Sequence, residues 1–195
     1  MSRRGFLAVG ALLPAVLLRP VRASAQDAPT EADVGFCRDM SAHHAQALVM
    51  CQRVLGRDTG STIQAAAVEV LQAQAIEIGH MQAWLADWGA STVPPSVVMG
   101  WMGAGDGAGV PLAAMPGYAT AAELLELSTL DGRARGRRWL ELMRAHHVGG
   151  VTMAGRAAEL ASAVKVIRIA RGQVAAQTYE IAQYDRLLAG EYAEA

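Results

Sequence analysis

Apolar and small residues recur along the first part of the chain in alternating steps of four and three. Between about residues 31 and 57 this stripe consists of Phe36, Met40, His43, Ala47, Met50 and Val54. Such spacing is typical of one face of a helix in a bundle. Glycines at 56 and 60 interrupt it, and a second stripe predicts a helix over residues 62–88, which Gly89 ends.

The second half of the chain repeats the first with an offset of 103 residues. Met40-x-x-His43-His44-x-x-Ala47-x-x-Met50 returns as Met143-x-x-His146-His147-x-x-Gly150-x-x-Met153. Gln74-x-x-Glu77-Ile78 returns as Gln177-x-x-Glu180-Ile181. Since one offset relates both blocks, the chain contains an internal duplication of a helical hairpin.

A segment rich in Gly, Pro and Met joins the two repeats and is expected to be a crossover loop. Thr120 followed by Glu123 is a capping-box signal. The helices predicted after the loop cover residues 120–129, 132–159 and 162–189. The pattern therefore predicts an all-α fold, a ferritin-like four-helix bundle made of two repeated helical hairpins. The expected single domain covers residues 26–195, with repeat one at 31–89, the crossover loop at 90–117 and repeat two at 118–189.

Composition supports a compact helical chain and excludes some functions. Of 195 residues, 52% are hydrophobic and only 5% aromatic, so the chain is expected to fold around a core of aliphatic residues and Met. Lys and Arg total 17 against 18 acidic residues, which leaves no positive excess for nucleic acid. The chain is therefore interpreted as a protein that does not bind nucleic acid.

The first 25 residues have the features of an export signal. Arg3-Arg4 is followed by an apolar run over residues 8–18 and by Ala23-Ser24-Ala25, a small-residue cleavage site. The paired arginines indicate a twin-arginine signal, and hence the twin-arginine export machinery as a partner. The run is shorter than the ~20 residues that span a bilayer. We expect a periplasmic or secreted protein that does not span a membrane.

Cys37 and Cys51 are expected to remain unpaired with each other. An exported protein with two cysteines would ordinarily suggest a disulfide. On one continuous helix, however, these two residues lie about 21 Å apart along the axis, which is far beyond the reach of a bridge. They are interpreted as packing residues.

The paired histidines and the flanking methionines share one helical face in each repeat, and they are the candidate metal ligands. Imidazole nitrogen and thioether sulfur together suit copper. The candidate ligands are His43, His44, Met40, Met50, His146, His147, Met143 and Met153. Glu77 and Glu180 could accept hydrogen bonds from the rings and orient them. The same residues could instead form a structural polar layer that sets helix register, in a structural or partner-binding bundle that holds no metal.

Two other metal chemistries remain open at this stage. Glu77-x-x-His80 has the spacing found in bundles that hold two iron or manganese ions and act as redox enzymes. The second repeat has Gln183 at the matching position, so binding of copper without turnover is the preferred interpretation. Met99-x-x-Met102 in the crossover loop could be a further soft site, but an exposed loop is preferred. The sequence leaves open whether the protein forms a homo-oligomer.

Taken together, the motifs resemble the exported proteins of the domain of unknown function 305 family. The resemblance extends from about residue 31 to 189 and rests on both Met-x-x-His-His motifs, on Gln74-x-x-Glu77-Ile78-x-x-Met81-x-x-Trp84, on Met115-Pro116-Gly117 and on Gly149-Gly150. It implies a ferritin-like bundle and, because some members are implicated in copper binding, a copper-binding role for the eight His and Met residues. The two repeats depart from each other at Met81, which is replaced by Tyr184.

Overall fold

The computed structural model describes residues 28–193, and the predicted signal peptide lies outside this range. Five α-helices account for most of it: α1 is Glu31–Val54, α2 is Ser61–Asp87, α3 is Ala121–Thr129, α4 is Gly132–Leu160 and α5 is Val164–Ala189. The predicted all-α bundle is confirmed. Within the described range, every helix is too short or too polar to cross a membrane.

Helices α1 and α4 form the centre of the bundle. Each packs against the other and against the second helix of its own hairpin, α2 or α5. The central helices are also the more buried ones: α1 buries 16 of its 24 residues, whereas α2 buries six of 27. The same contrast holds between α4 and α5. The residues that share a face of α1 and α4 therefore determine what occupies the core.

Two apolar clusters fill the core, one on each side of the histidine pairs. One contains Met50, Met143 and Trp139, and the other contains Met40 and Met153. Each cluster takes its members from opposite ends of α1 and α4, which therefore run antiparallel.

Both cysteines are buried, unpaired and in different clusters. Burial raises the pKa of Cys37 to about 12, and it raises the pKa of Cys51 to the same value. Both thiols therefore stay protonated at neutral pH, which agrees with packing rather than ligation.

The crossover segment is more ordered and more buried than expected. Strand β1 (Val97–Val98) pairs antiparallel with β2 (Val110–Pro111), and short 3-10 turns lie between and after the strands. The buried carboxylate of Asp39 on α1 accepts hydrogen bonds from the Met99 backbone N–H (2.7 Å) and from Trp101 Nε1 (2.9 Å). Met99 is only 3% exposed, so the expectation of an exposed Met99 was wrong. The Asp39 carboxylate on α1 therefore anchors the segment to the core.

Asp33 links the first helix to the start of the last. Its carboxylate accepts the Thr30 backbone N–H (2.8 Å) in a capping box for α1. It also accepts the Ser162 hydroxyl (2.9 Å) and the Ala163 backbone N–H (2.9 Å) just before α5 begins. Burial alone would raise the pKa of Asp33, but these hydrogen bonds outweigh it and hold the pKa below its usual 3.8.

Replacing Asp33 by Asn is expected to reduce the free energy of unfolding at pH 7 by about 1–2 kcal/mol. The ionised form is favoured in the folded protein, so its contribution is complete above pH 3.8 and is lost as pH falls through the lower folded-state pKa. Urea unfolding of the parent and of Asp33→Asn, measured between pH 7 and pH 2, should show a difference that shrinks in acid. Asp58→Asn, at an exposed loop position, is the control, and an equal effect there would contradict the assignment.

Candidate metal site

Four histidines form a layer across the centre of the bundle. His43 and His44 lie on α1, His146 and His147 lie on α4, and none has exposed surface. The rings of His43 and His146 stack with centroids 3.7 Å apart and planes inclined by 25°. The sequence placed the two pairs on related helices, and the structure brings them together in one layer.

The outer member of each pair is hydrogen-bonded to a glutamate of its own hairpin. His44 Nε2 lies 2.7 Å from the Glu77 carboxylate, and His147 Nε2 lies 2.8 Å from the Glu180 carboxylate. Each glutamate side chain is about a quarter exposed, at 25% and 28%. Each glutamate therefore connects a fully buried ring to solvent.

The inner histidines are hydrogen-bonded to backbone carbonyls. His43 Nε2 donates to the Pro116 carbonyl (3.2 Å), and His146 Nε2 donates to the His43 carbonyl (2.8 Å). A carbonyl oxygen only accepts, so both rings carry their proton on Nε2. The carboxylate oxygens of Glu77 and Glu180 accept from Nε2 in the same way, which gives the outer rings the same tautomer.

This tautomer leaves four nitrogen lone pairs inside the protein. The Nδ1 atoms of His43, His44, His146 and His147 are buried and have no hydrogen-bond partner. Burial, with the neighbouring histidines, lowers the pKa of His43 to about 3 and that of His146 well below 6.5. Both inner rings are therefore neutral at physiological pH, and neutral imidazole nitrogen is a good metal ligand.

The four methionines flank the layer in two pairs. Met40 and Met153 lie in the cluster on one side, and Met50 and Met143 lie in the cluster on the other. None has exposed surface. The sequence predicted one face for all of these side chains, and the structure divides the thioethers between the two apolar sides of the histidines.

The adjacent glycines of α4 are explained by close contacts with two different elements. A Cβ atom on Gly149 would overlap the carbonyl oxygen of Pro116 in the crossover segment, and one on Gly150 would overlap the amide of Gln177 on α5. The contact at Gly149 positions the Pro116 carbonyl, which accepts a hydrogen bond from His43 Nε2. The glycine pair is visible in the sequence, but its carbonyl neighbour is not, because an irregular loop supplies that carbonyl.

The two halves of the layer are not equivalent. Gln173 on α5 donates to the Glu77 carboxylate (2.9 Å), whereas the position related to it in the first repeat is Val70. Next to His147, the Tyr184 ring lies edge-on at 5.4 Å, where the first repeat has Met81. The second repeat thus supplies both the additional amide and a phenol, where the first repeat has an aliphatic side chain and a thioether.

A cluster of the di-iron type is not formed within residues 28–193. In that range no three His, Cys, Asp or Glu side chains converge as ligands for a metal ion. His80 is exposed, and its ring stacks on Trp84 at a centroid distance of 6.1 Å. The arrangement instead offers imidazole nitrogens between two clusters that contain thioether sulfurs, and these donor types suit a soft cation.

The fold and the layer define a class of protein, an all-α bundle of two duplicated hairpins whose central helices each carry a buried histidine pair. The chain belongs to the family described as Domain of unknown function (DUF305), whose sequence profile matches residues 33–188. No curated protein matches the sequence significantly.

Solved structures share the fold over most of their length. A DUF305 protein from Streptomyces coelicolor, described as secreted, is 40% identical with a TM-score of 0.76, covering 84% of this chain and 95% of that one. A DUF305 fragment from Deinococcus radiodurans is 30% identical with a TM-score of 0.69, covering 83% and 97%. CopM in its Cu(I)-bound form is 21% identical with a TM-score of 0.63, covering 83% and 98%.

Proposed function

We propose that this protein is an exported copper-binding protein that holds the ion as cargo in the buried histidine layer, without turnover. The candidate ligands are the four histidines, with Met40, Met50, Met143 and Met153 as soft donors and Glu77 and Glu180 as orienting groups. We infer that residues 26–195 form one domain, which comprises both repeats and the crossover segment.

The observation that carries the proposal is the set of four buried Nδ1 atoms without partners. Leaving a buried polar atom unsatisfied costs about 1–3 kcal/mol, so four in one layer are a considerable destabilisation. Since no three of the described His side chains converge as ligands, a bound cation would take at most two of these nitrogens and complete its coordination with thioether sulfur. The inner rings are neutral and would need to lose no proton to bind it. A purely structural layer gives no reason to leave all four unpaired.

The surrounding sulfur atoms favour copper over iron or manganese. Thioethers prefer Cu(I), whereas iron and manganese sites in bundles rely on several carboxylates. Within residues 28–193, two carboxylates, Glu77 and Glu180, are hydrogen-bonded to the layer, and each is bonded to a different ring. A redox enzyme with two metals is therefore the weaker alternative.

Relatives support both parts of the proposal. CopM, which shares the fold, binds Cu(I), Cu(II) and silver. The Streptomyces coelicolor relative is described as secreted, in agreement with the export signal proposed for residues 1–25. We infer a periplasmic or extracellular location, reached through the twin-arginine machinery.

Replacing Glu77 by Gln is expected to weaken Cu(I) binding about 10–100-fold, the usual effect of losing a partner that orients a ligating histidine. The amide is a weaker acceptor and can turn its NH2 group toward His44, which releases the ring. The measurement is an anaerobic titration of the mature protein with Cu(I) against a chromophoric chelator.

Glu69→Gln, at an exposed position of the same helix, is the matched control and should bind like the parent. A parent protein that fails to compete for Cu(I) would show that copper is the wrong cargo. Equal affinities for the parent and Glu77→Gln would show that the glutamate does not serve the site.

A further inference from the structure

A narrow cleft between α2 and α5 lies over the glutamates that are hydrogen-bonded to the histidine layer. It holds about 30 Å³ of free space, enough for about one or two water molecules or one small ion. Glu77 and Glu180, the two glutamates bonded to the outer histidines, line it. The cleft therefore reaches the two carboxylates, and the carboxylates contact the buried rings.

The lining follows the internal duplication throughout. Its eight residues form four pairs separated by 103 positions: Val70 and Gln173, Ala73 and Ala176, Gln74 and Gln177, Glu77 and Glu180. The cleft thus lies where the two repeats face each other, and its lining includes the glutamate of each half of the layer.

The chemistry of the lining suits a cation. The side-chain carbonyl oxygens of Gln74, Gln173 and Gln177 are buried and accept no hydrogen bond. These residues are at most 4% exposed. Together with two carboxylates they form an electronegative wall, and none of the described residues lining it is basic. Such a wall attracts cations and replaces part of their hydration shell.

The other sides of the layer are closed by packing. Pro116 of the crossover segment lies against Gly149 of α4 with no room for a Cβ atom, which covers the His43 side. The two apolar clusters cover the layer above and below. A charged ion would have to cross buried Met and Leu side chains to enter by those routes, at a high desolvation cost.

We propose that the cleft between α2 and α5 is the route by which a metal cation enters and leaves the histidine layer. This inference rests on the proposed function and adds the path. Carboxylate and amide oxygens are poor ligands for Cu(I), so they would hold the ion briefly and pass it to the nitrogen and sulfur donors. Access through the cleft would set the rate of loading, while the layer sets the affinity.

The test is to block the cleft without touching a candidate ligand. Ala73 and Ala176 are exposed residues at its rim, and the double variant Ala73→Phe/Ala176→Phe fills the opening. Ala75→Phe/Ala175→Phe, at exposed positions on the same helices but outside the lining, is the matched control. The rate of Cu(I) uptake from its acetonitrile complex is measured by rapid quenching, and affinity by chelator competition.

We expect the blocked variant to take up Cu(I) at least about tenfold more slowly with unchanged affinity, because a route affects entry and exit equally. The control variant should match the parent in both uptake rate and affinity. Uptake by the blocked variant at the parental rate would overturn the route. A loss of affinity as large as the loss of rate would also overturn it, because the cleft would then be the binding site.

A second variant serves if the aromatic substitutions prevent folding, as judged by circular dichroism. Gln74→Leu/Gln177→Leu removes two amide oxygens at similar size and should also slow uptake; an unchanged rate would overturn the proposal. Failure of the parent to bind Cu(I) at all would refute the proposed function and the route together. Binding by the parent with normal uptake by the variants refutes the route alone.

Discussion

Replacing Gly149 by alanine is expected to reduce the free energy of unfolding by about 2–3 kcal/mol, although alanine is the better helix former. The added methyl group would overlap the carbonyl oxygen of Pro116, which is backbone and cannot rotate away as a side chain would. Gly117, which follows Pro116, also has no room for a Cβ atom against α4, and its φ is positive at 78°. The segment therefore has little room to shift.

The control lies six residues further along the same helix. Gly155 has no neighbour within 4 Å of an added Cβ atom, so Gly155→Ala should stabilise the protein by up to about 1 kcal/mol. Urea unfolding of both variants gives the comparison. If Gly149→Ala were as stable as Gly155→Ala, the close packing of the crossover segment on α4 would be disproved.

The second large effect concerns the layer itself. A variant with His43, His44, His146 and His147 all changed to Gln is expected to lose Cu(I) affinity by more than about 100-fold, since removing ligands costs more than removing their orienting partners. Glutamine keeps a polar side chain of similar length but offers no imidazole nitrogen. Chelator competition under anaerobic conditions gives the affinity, and circular dichroism shows whether the helices persist.

His80→Gln is the matched control because His80 is the fifth histidine and is exposed. It should bind Cu(I) like the parent. If the fourfold variant fails to fold, His43→Gln/His146→Gln, which changes only the stacked rings, replaces it. A folded variant with parental affinity would show that the histidines are a structural polar layer.

Much of the fold follows from patterns that repeat at short range. The spacing of apolar residues predicted helices at 31–57 and 62–88, and the structure has them at Glu31–Val54 and Ser61–Asp87. The capping box at Thr120 and Glu123 is present as predicted. These features depend on residues three to eight positions apart, which the sequence displays directly.

The remaining features depend on contacts between distant segments. Asp33 caps the start of α5 from 129 and 130 residues away, and the Pro116 carbonyl accepts the His43 proton across 73 residues. Neither partner carries a local sequence signal. The burial of Met99 was missed for the same reason, because its anchor, Asp39, lies in another element.

The histidine layer was only partly foreseeable. The duplicated motif placed His43, His44, His146 and His147 on related helices and suggested the glutamates as hydrogen-bond partners. The stacking of His43 on His146 and the tautomer of each ring depend on how α1 and α4 cross. The assignment of these residues as metal ligands stays a prediction.

The most direct test of the central claim is long-range 1H–15N correlation NMR of the histidine side chains, recorded before and after one equivalent of Cu(I) is added. In the metal-free protein we predict that all four buried rings carry the proton on Nε2 and leave Nδ1 bare. Cu(I) should then shift Nδ1 resonances of the layer and leave His80 unchanged. Protons on Nδ1 in the metal-free protein, or Cu(I) that leaves all four rings unperturbed, would contradict the account.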